Sequence, residues 1–367
     1  MDKDTNTIYK GLSSIVFSIN ERLRSSNMKK ILFSLLAALA TMPLLVSCDD
    51  FKIDDNGNRP PQGPSSYGAY VLNSGMMDSN NSELTYFDML TGAVSANVFS
   101  KSNGKGLGDS ANDILVYGSK MYIAVTGSAV VFVTDLSGKI VKEISLQGET
   151  SKLAPRQLAA DAGKVYVSYR EGYVGAIDTV SLEVRKAQVG PYPEGLACVG
   201  NKLYVAITDA NNYPNLANKV QVLDKSSLQV IKEIEVGYNP QAFHKVSNGA
   251  MYLVCWGDYA ANPAVLQKIN TSTDEVITIE GVEPTSMTVA DEGIIYILST
   301  GYDENWNQQI KYYKYNTDKE RIEDEFISSE LVPDGYCIKW DPVSKYIFIG
   351  TSDYISNGDV YVLTQEG

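Results

Sequence analysis

Residues 193–237 decide the fold, with PEGLACV at 193–199, KLYVAIT at 202–208, KVQVLD at 219–224 and QVIKEIEVG at 229–237. Each piece is short, apolar and rich in the β-branched and aromatic residues that favour strands. Tight turns built from Gly, Asn and Ser join the first piece to the second and the third to the fourth. Four such pieces in succession predict one antiparallel four-stranded sheet.

The same order of parts recurs along the chain after residue 67, and each copy carries an aromatic anchor in its second strand. We assign the anchors to Tyr70, Tyr122, Tyr166, Tyr204, Tyr252, Tyr296 and Tyr346. A repeat period near 40 residues is typical of propeller blades or solenoid units, and four-stranded sheets repeated around a ring leave few exposed edges. The sequence therefore predicts an all-β fold, a seven-bladed β-propeller of four-stranded antiparallel blades over residues 67–367. A parallel β-helix is the alternative, although its coils are shorter and lack two hairpin turns.

The two ends of the repeat region each lack one strand. The first unit has no innermost strand before GAYVLNSG at 68–75, and the last has no outermost strand after DVYVLTQ at 359–365. Either residues 51–54 supply a strand, or two three-stranded blades meet at the seam. Unchanged thermal stability after deletion of residues 49–66 would rule out the first arrangement.

The segment MKKILFSLLAALATMPLLVSC at 28–48 has two lysines, a short apolar run and a small residue before cysteine, which predicts an export signal. The run is shorter than the roughly 20 apolar residues of a spanning helix. Its end resembles a lipobox, so we expect a lipoprotein signal peptide at 28–47 and a lipid anchor on Cys48; a plain secretory signal is the alternative. Residues 1–27 are interpreted as an upstream extension, and the polar residues 48–66 as a flexible tether.

The acidic pair that follows Cys48 resembles a signal for the outer face of the outer membrane, so we predict a lipid-anchored protein at the cell surface. A net charge of −13 argues against a nucleic-acid surface. The chain has one histidine, His244, which excludes multi-histidine metal sites. We expect no cofactor. Three further cysteines lie in apolar runs, and we interpret them as small buried hydrophobes rather than a disulfide: Cys198, Cys255 and Cys337.

Strand direction alternates within a blade, so the loops from strand two to strand three share one face with the blade-to-blade loops. On this face the loops are long and rich in amides and aromatics, whereas the hairpin turns of the opposite face are short and polar. Rigid aromatics among Asn, Asp and Gly suit a binding surface. The predicted ligand-binding residues are Arg156, Tyr192, Tyr213, Tyr238, Trp256, Tyr259, Tyr302, Trp306 and Tyr354. The alternative for each is packing between neighbouring loops.

The phrases PEGLACVGNKLYVAITDANN at 193–212, NKVQVLDKSSLQVIKEIEVGYNP at 218–240 and LGDSAND at 107–113 resemble the YncE-type propellers, in particular the surface lipoproteins of the DUF5074 family. The resemblance extends from Tyr67 to the end of the chain and includes the lipid-anchor region. Some members of that family, the BtuG-type proteins, bind cobalamin beside a TonB-dependent transporter. The resemblance therefore implies capture of cobalamin or another nutrient.

Three functions follow from these observations. The first is a non-enzymatic surface lipoprotein whose aromatic face binds a small nutrient, a TonB-dependent transporter, or both. The second is a protein-interaction scaffold that uses the same face. The third is a propeller enzyme of lactonase or lyase type, with candidate groups Asp113, Glu194, His244 and Asp334 at the inner strands.

Overall fold

The structure is a computed structural model that describes residues 15–16, 68–246, 249–303, 307–353 and 358–367. Its strands form seven sheets, and within each sheet the strands are neighbours in chain order. Contacts between successive inner strands arrange the sheets around a ring. The predicted seven-bladed β-propeller is confirmed.

The blades are numbered along the chain. Blade 1 holds β1 (Ile15–Val16), β2 (Gly68–Asn73), β3 (Glu83–Asp88) and β4 (Val94–Ser95). Blade 2 holds β5 (Ala111–Tyr117), β6 (Lys120–Val125), β7 (Val130–Asp135) and β8 (Ile140–Ile144). Blade 3 holds β9 (Pro155–Asp161), β10 (Lys164–Tyr169), β11 (Tyr173–Asp178) and β12 (Val184–Gln188). Blade 4 holds β13 (Pro193–Val199), β14 (Lys202–Ile207), β15 (Lys219–Asp224) and β16 (Val230–Glu235).

The remaining blades continue the order. Blade 5 holds β17 (Pro240–Lys245), β18 (Ala250–Cys255), β19 (Val265–Asn270) and β20 (Val276–Ile279). Blade 6 holds β21 (Ser286–Val289), β22 (Ile294–Tyr302), β23 (Gln308–Asn316) and β24 (Arg321–Glu325). Blade 7 holds β25 (Gly335–Trp340), β26 (Ile347–Thr351) and β27 (Val360–Leu363). Within the described ranges, the α-helix α1 (Val98–Asn103) and the 3₁₀ turns Ala210–Asn212 and Asp291–Gly293 lie in connections. In the part of the chain that is described, no helix has the length and apolar character needed to cross a membrane.

The seam of the ring lies between blade 7 and blade 1. Blade 7 has three described strands, and the inner position of blade 1 is taken by β1, which pairs in parallel with β2. All other strand pairs in the described ranges are antiparallel. The predictions for the extension, the signal peptide, the anchor at Cys48 and the tether fall on residues that, apart from β1, lie outside the described ranges.

The hydrophobic cores lie between neighbouring blades. Tyr204 of blade 4 is fully buried against blade 5, where its ring meets Phe243 edge-on at 6.4 Å. Tyr122, likewise, packs between blades 2 and 3. Each blade therefore completes its core only with the next one, as expected for repeats that cannot bury their faces alone.

The seventh anchor differs from the sequence assignment. Tyr346 precedes β26 and is half-buried, whereas Phe348 is fully buried in the core between blades 7 and 1. Phe348 pairs with Lys339 across the sheet, as Tyr252 pairs with His244 in blade 5. The apolar run in this strand contains two aromatics two residues apart, and both point to the same side, so periodicity alone could not choose between them.

The hairpin turns of the opposite face are structural, in keeping with their composition. Gly200, between β13 and β14, has a φ of 55°, which a glycine adopts without strain. At the next turn of the same blade, Asp224 Oδ1 accepts backbone N–H bonds from Ser226 and Ser227 at 3.0 and 2.8 Å. These bonds hold the pKa of Asp224 below its ordinary value. The three cysteines of the propeller are free thiols, with Cys198 and Cys255 buried and Cys337 half-buried.

Candidate functional site

A cavity of about 560 Å³ opens on the face that carries the long loops. Its wall is aromatic and comes from blades 5, 6 and 7, with Trp256, Tyr259, Tyr302 and Tyr336. Its floor is polar and comes from the first residues of the inner strands, with Asn112, Arg156, Gln157, Glu194 and Gln241. The wall residues are 36% to 64% exposed, so their rings are available to a bound molecule.

Trp256 follows β18 and joins two blades. Its indole Nε1–H donates to the carbonyl oxygen of Thr285 in blade 6 at 2.9 Å. Elsewhere in the ring a hydroxyl makes the equivalent bond: Thr126 donates to Pro155 O at 2.6 Å, and Thr300 donates to Gly335 O at 3.2 Å. Both threonines lie four residues after their anchor tyrosine, and Trp256 lies at the same position after Tyr252. Trp256 therefore makes the same inter-blade hydrogen bond as the threonines and also contributes an aromatic ring to the cavity.

The loop after Trp256 has a fixed shape. Gly257 has a φ of 74°, and a Cβ there would lie 2.2 Å from Asn262 O, so only glycine fits. Asp258 Oδ1 accepts the backbone N–H groups of Ala260 and Asn262, both at 2.9 Å. The Tyr259 hydroxyl in turn accepts a hydrogen bond from Asn239 at 3.2 Å. The loop therefore presents Tyr259 in a defined position.

An ion pair lies in the floor of the cavity. Arg156 Nε donates to Glu194 Oε1 at 2.8 Å, and Arg156 Nη2 lies 2.6 Å from the same oxygen. The Glu194 side chain is 4% exposed, and burial raises its pKa, although Arg156 opposes that rise. The ring of Tyr192 lies beneath both Arg156 and Arg170, at 5.7 and 5.2 Å from the guanidinium carbons. The ion pair and the ring of Tyr192 together hold the Arg156 guanidinium in position beside the Glu194 carboxylate.

His244 lies deeper, on the inner strand β17. Burial, with a contribution from the positive charge of Lys339 on β25, lowers the pKa of His244 to about 3. The imidazole is therefore neutral near pH 7. The Asp113 carboxylate across the channel attracts Lys339, and it accepts backbone N–H bonds from Ile114 and Leu158 at 2.9 and 2.8 Å.

This environment predicts an acid sensitivity of the fold. Because the folded pKa of His244 lies below the ordinary value of 6.5, the unfolded chain binds the extra proton first. The stabilisation is complete above pH 6.5 and is lost as the pH falls toward 3. Between pH 6 and pH 4 we expect wild type to lose about 2 to 3 kcal/mol more than His244→Gln, at about 1.4 kcal/mol per pH unit. Urea unfolding at a series of pH values measures this, and parallel curves for the two proteins would contradict it.

The structure brings four of the predicted ligand-binding residues to the cavity: Arg156, Trp256, Tyr259 and Tyr302. Tyr192 is buried at 8% exposure under the two arginines and supports the site from below. Tyr213 is exposed on the same face, and Tyr238 is half-buried, but neither lines the cavity. Trp306 and Tyr354 lie outside the described residues.

Sequence reasoning missed several cavity residues. Tyr336 is the second residue of the inner strand β25 of blade 7, and it is not among the predicted ligand-binding residues. Glu194 and Gln241 share one signal, since each directly follows the proline that begins an inner strand, as Arg156 does. Glu194 was considered only as an acid for the enzyme hypothesis, together with Asp113, His244 and Asp334. Across the described ranges, no three His, Cys, Asp or Glu side chains lie close enough to hold a metal ion.

The comparisons with known proteins support the fold. The family described as "Domain of unknown function (DUF5074)" matches residues 67–363. No curated protein matches the sequence. Hydrazine synthase of Kuenenia stuttgartiensis is similar in structure, with a TM-score of 0.52 at 17% identity over 64% of this chain and 71% of that one. The propeller domain of Cps50 (Swd1) from Myceliophteria thermophila gives a TM-score of 0.56 at 8% identity, over 79% and 96% of the two chains. Dihydro-heme d1 dehydrogenase NirN, in complex with DHE, gives 0.51 at 10% identity, over 80% and 67%.

Proposed function

This chain belongs to the DUF5074 family, and we propose that it is a non-enzymatic binding protein whose cavity captures a small nutrient molecule. The observation that carries the proposal is the cavity between the aromatic wall and the Arg156–Glu194 floor. Its volume of about 560 Å³ lies within the range of small-molecule sites, roughly 300 to 1,000 Å³. Rings suit the planar or apolar part of a ligand, and the floor offers hydrogen bonds for its polar part.

The sequence pattern at Cys48 supports a location for this activity. We propose that a lipid on Cys48 holds the propeller at the surface of the outer membrane and that the tether lets the cavity face outward. Cobalamin is the first ligand to test, because the resemblance to the BtuG-type proteins implies it. The captured nutrient would then pass to a TonB-dependent transporter.

A docking role for the same face is the second candidate. Tyr213, Tyr259 and Tyr302 are 63%, 64% and 59% exposed, more than Trp256 at 36%. Exposed tyrosines are frequent at protein interfaces, since the ring gives contact area and the hydroxyl a hydrogen bond. These three support contact with a transporter or another protein partner.

Replacement of Trp256 tests the binding function. In the full-length chain, which keeps the β1 strand of blade 1, we expect Trp256→Ala to weaken ligand binding by more than about 2 kcal/mol, or roughly 30-fold. Trp256→Phe, which keeps a ring but not the bond to Thr285, should retain most of the affinity. Calorimetry with cyanocobalamin, followed by other nutrients, measures the effect. Val180→Ala is the control, since Val180 is 90% exposed outside the cavity. Equal affinity of wild type and Trp256→Ala would contradict the proposal.

A further inference from the structure

Glu194 lines the cavity, and one of its carboxylate oxygens has no hydrogen-bond partner among the described residues. The hydrogen bond from Arg156 Nε and the ion-pair contact of Arg156 Nη2 both involve Glu194 Oε1. The other oxygen, Oε2, is buried and has no hydrogen-bond partner among the described residues. A buried acceptor without a donor destabilises a fold by about 1 to 3 kcal/mol, so a group in this state points to a partner that arrives from outside.

The charges around the cavity select the kind of partner. The ionisable side chains that line it, within the described ranges, are Arg156, Glu194, Glu283, His244 and Cys337, apart from the tyrosines. Arg156 offsets Glu194, the pKa of His244 keeps its ring neutral, and Glu283 is exposed at the rim. The unpartnered Oε2 of Glu194 is itself an acceptor, which favours a ligand group that donates a hydrogen bond over an anionic group.

We propose that the cavity selects ligands carrying a nitrogen hydrogen-bond donor, an ammonium or amide, beside a planar apolar group, and that Glu194 Oε2 accepts this donor. The planar group lies against Trp256 and its neighbouring tyrosines. The inference rests on the proposed function and narrows it to a ligand class. Arg156 acts as a positioning residue, because it occupies Oε1 and leaves Oε2 for the ligand.

Three probes with one ring separate the possibilities: indole, tryptamine and indole-3-acetate. They share the planar group, to which tryptamine adds an ethylammonium side chain and indole-3-acetate a carboxymethyl side chain. For the full-length wild-type chain we expect tryptamine to bind about tenfold more tightly than indole, because its ammonium gains a hydrogen bond to a charged acceptor. We expect indole-3-acetate to bind no more tightly than indole. Calorimetry or ligand-observed NMR gives the three dissociation constants.

The variant Glu194→Gln provides the decisive comparison. Because Arg156 needs an acceptor at Oε1, the amide oxygen takes that place and the NH₂ group takes the place of Oε2, so an acceptor becomes a donor. We expect tryptamine to lose about tenfold in affinity while indole changes by less than about twofold. Glu283→Gln is the matched control, and its effect on tryptamine should stay near twofold, because the charge of Glu283 is screened by solvent.

The outcomes are distinct. If indole binds but tryptamine gains nothing over it, or if Glu194→Gln leaves the order unchanged, the donor assignment is overturned and the binding site stands. A larger effect from Glu283→Gln than from Glu194→Gln also overturns it. If none of the three probes binds to wild type, the aromatic cavity itself fails as a binding site. Thermal unfolding of each variant is the control, because an unchanged melting temperature separates a change in binding from a loss of the fold.

Discussion

Replacing Arg156 by alanine should lower the free energy of unfolding by about 3 to 5 kcal/mol. The substitution leaves the Glu194 carboxylate buried at 4% exposure without its guanidinium. Removal of one partner of a buried pair destabilises far more than the pair itself stabilises, because the remaining charge loses its counter-charge. Guanidinium chloride unfolding followed by circular dichroism measures the loss.

Two further variants separate the charge effect from packing. Arg170→Ala removes the other arginine over Tyr192, but Arg170 is exposed, so a loss of at most about 1 kcal/mol is expected. The double variant Arg156→Met with Glu194→Met removes both charges and should recover most of the lost stability. If the double variant is as unstable as Arg156→Ala, packing rather than the unpaired charge explains the effect.

Tyr122→Ala should cost about 3 to 5 kcal/mol, because the side chain is fully buried between blades 2 and 3. Tyr122→Phe, by contrast, should be neutral or stabilising: the buried hydroxyl has no hydrogen-bond partner within the described ranges. Tyr312 is the matched control, since it is equally buried but its hydroxyl donates to Val332 O at 2.9 Å. Tyr312→Phe should therefore lose about 1 kcal/mol.

Denaturant unfolding of the three variants gives these values. The informative quantity is the difference in the free energy of unfolding between Tyr122→Phe and Tyr312→Phe, since both substitutions remove one oxygen atom from a fully buried side chain. Equal losses of stability at the two positions would contradict this expectation, because they would mean that the Tyr122 hydroxyl is hydrogen-bonded in solution.

The blades were predictable because each depends on short-range signals. Turns such as Gly200–Asn201 and anchors such as Tyr204 repeat at a regular spacing, and a repeat fixes the fold once one unit is understood. The seventh anchor was misassigned because Tyr346 and Phe348 both satisfy the local pattern. The choice between them depends on the core shared with blade 1, whose residues Ala69 and Phe87 lie far earlier in the chain.

The face of the site was predictable, but its floor was not. Strand direction placed Trp256 and Tyr302 on the face that holds the cavity. The pairing of Arg156 with Glu194 is a contact across two blades and 38 residues, and no local pattern predicts such a contact. For the same reason Tyr192, selected as a ligand contact, proved to be a buried support for two arginines.

The separation between the cores and the long loops has an evolutionary consequence. The cores that join the blades come mainly from strands, whereas the wall of the cavity comes largely from loops and strand ends that contribute little to any core. Substitution in a loop such as 256–264 can therefore change what the wall contacts while the ring stays intact. Members of this family can therefore differ in ligand while they keep one scaffold. When a ligand known for one member is assigned to another, the residues of the wall and the floor should be compared rather than overall similarity.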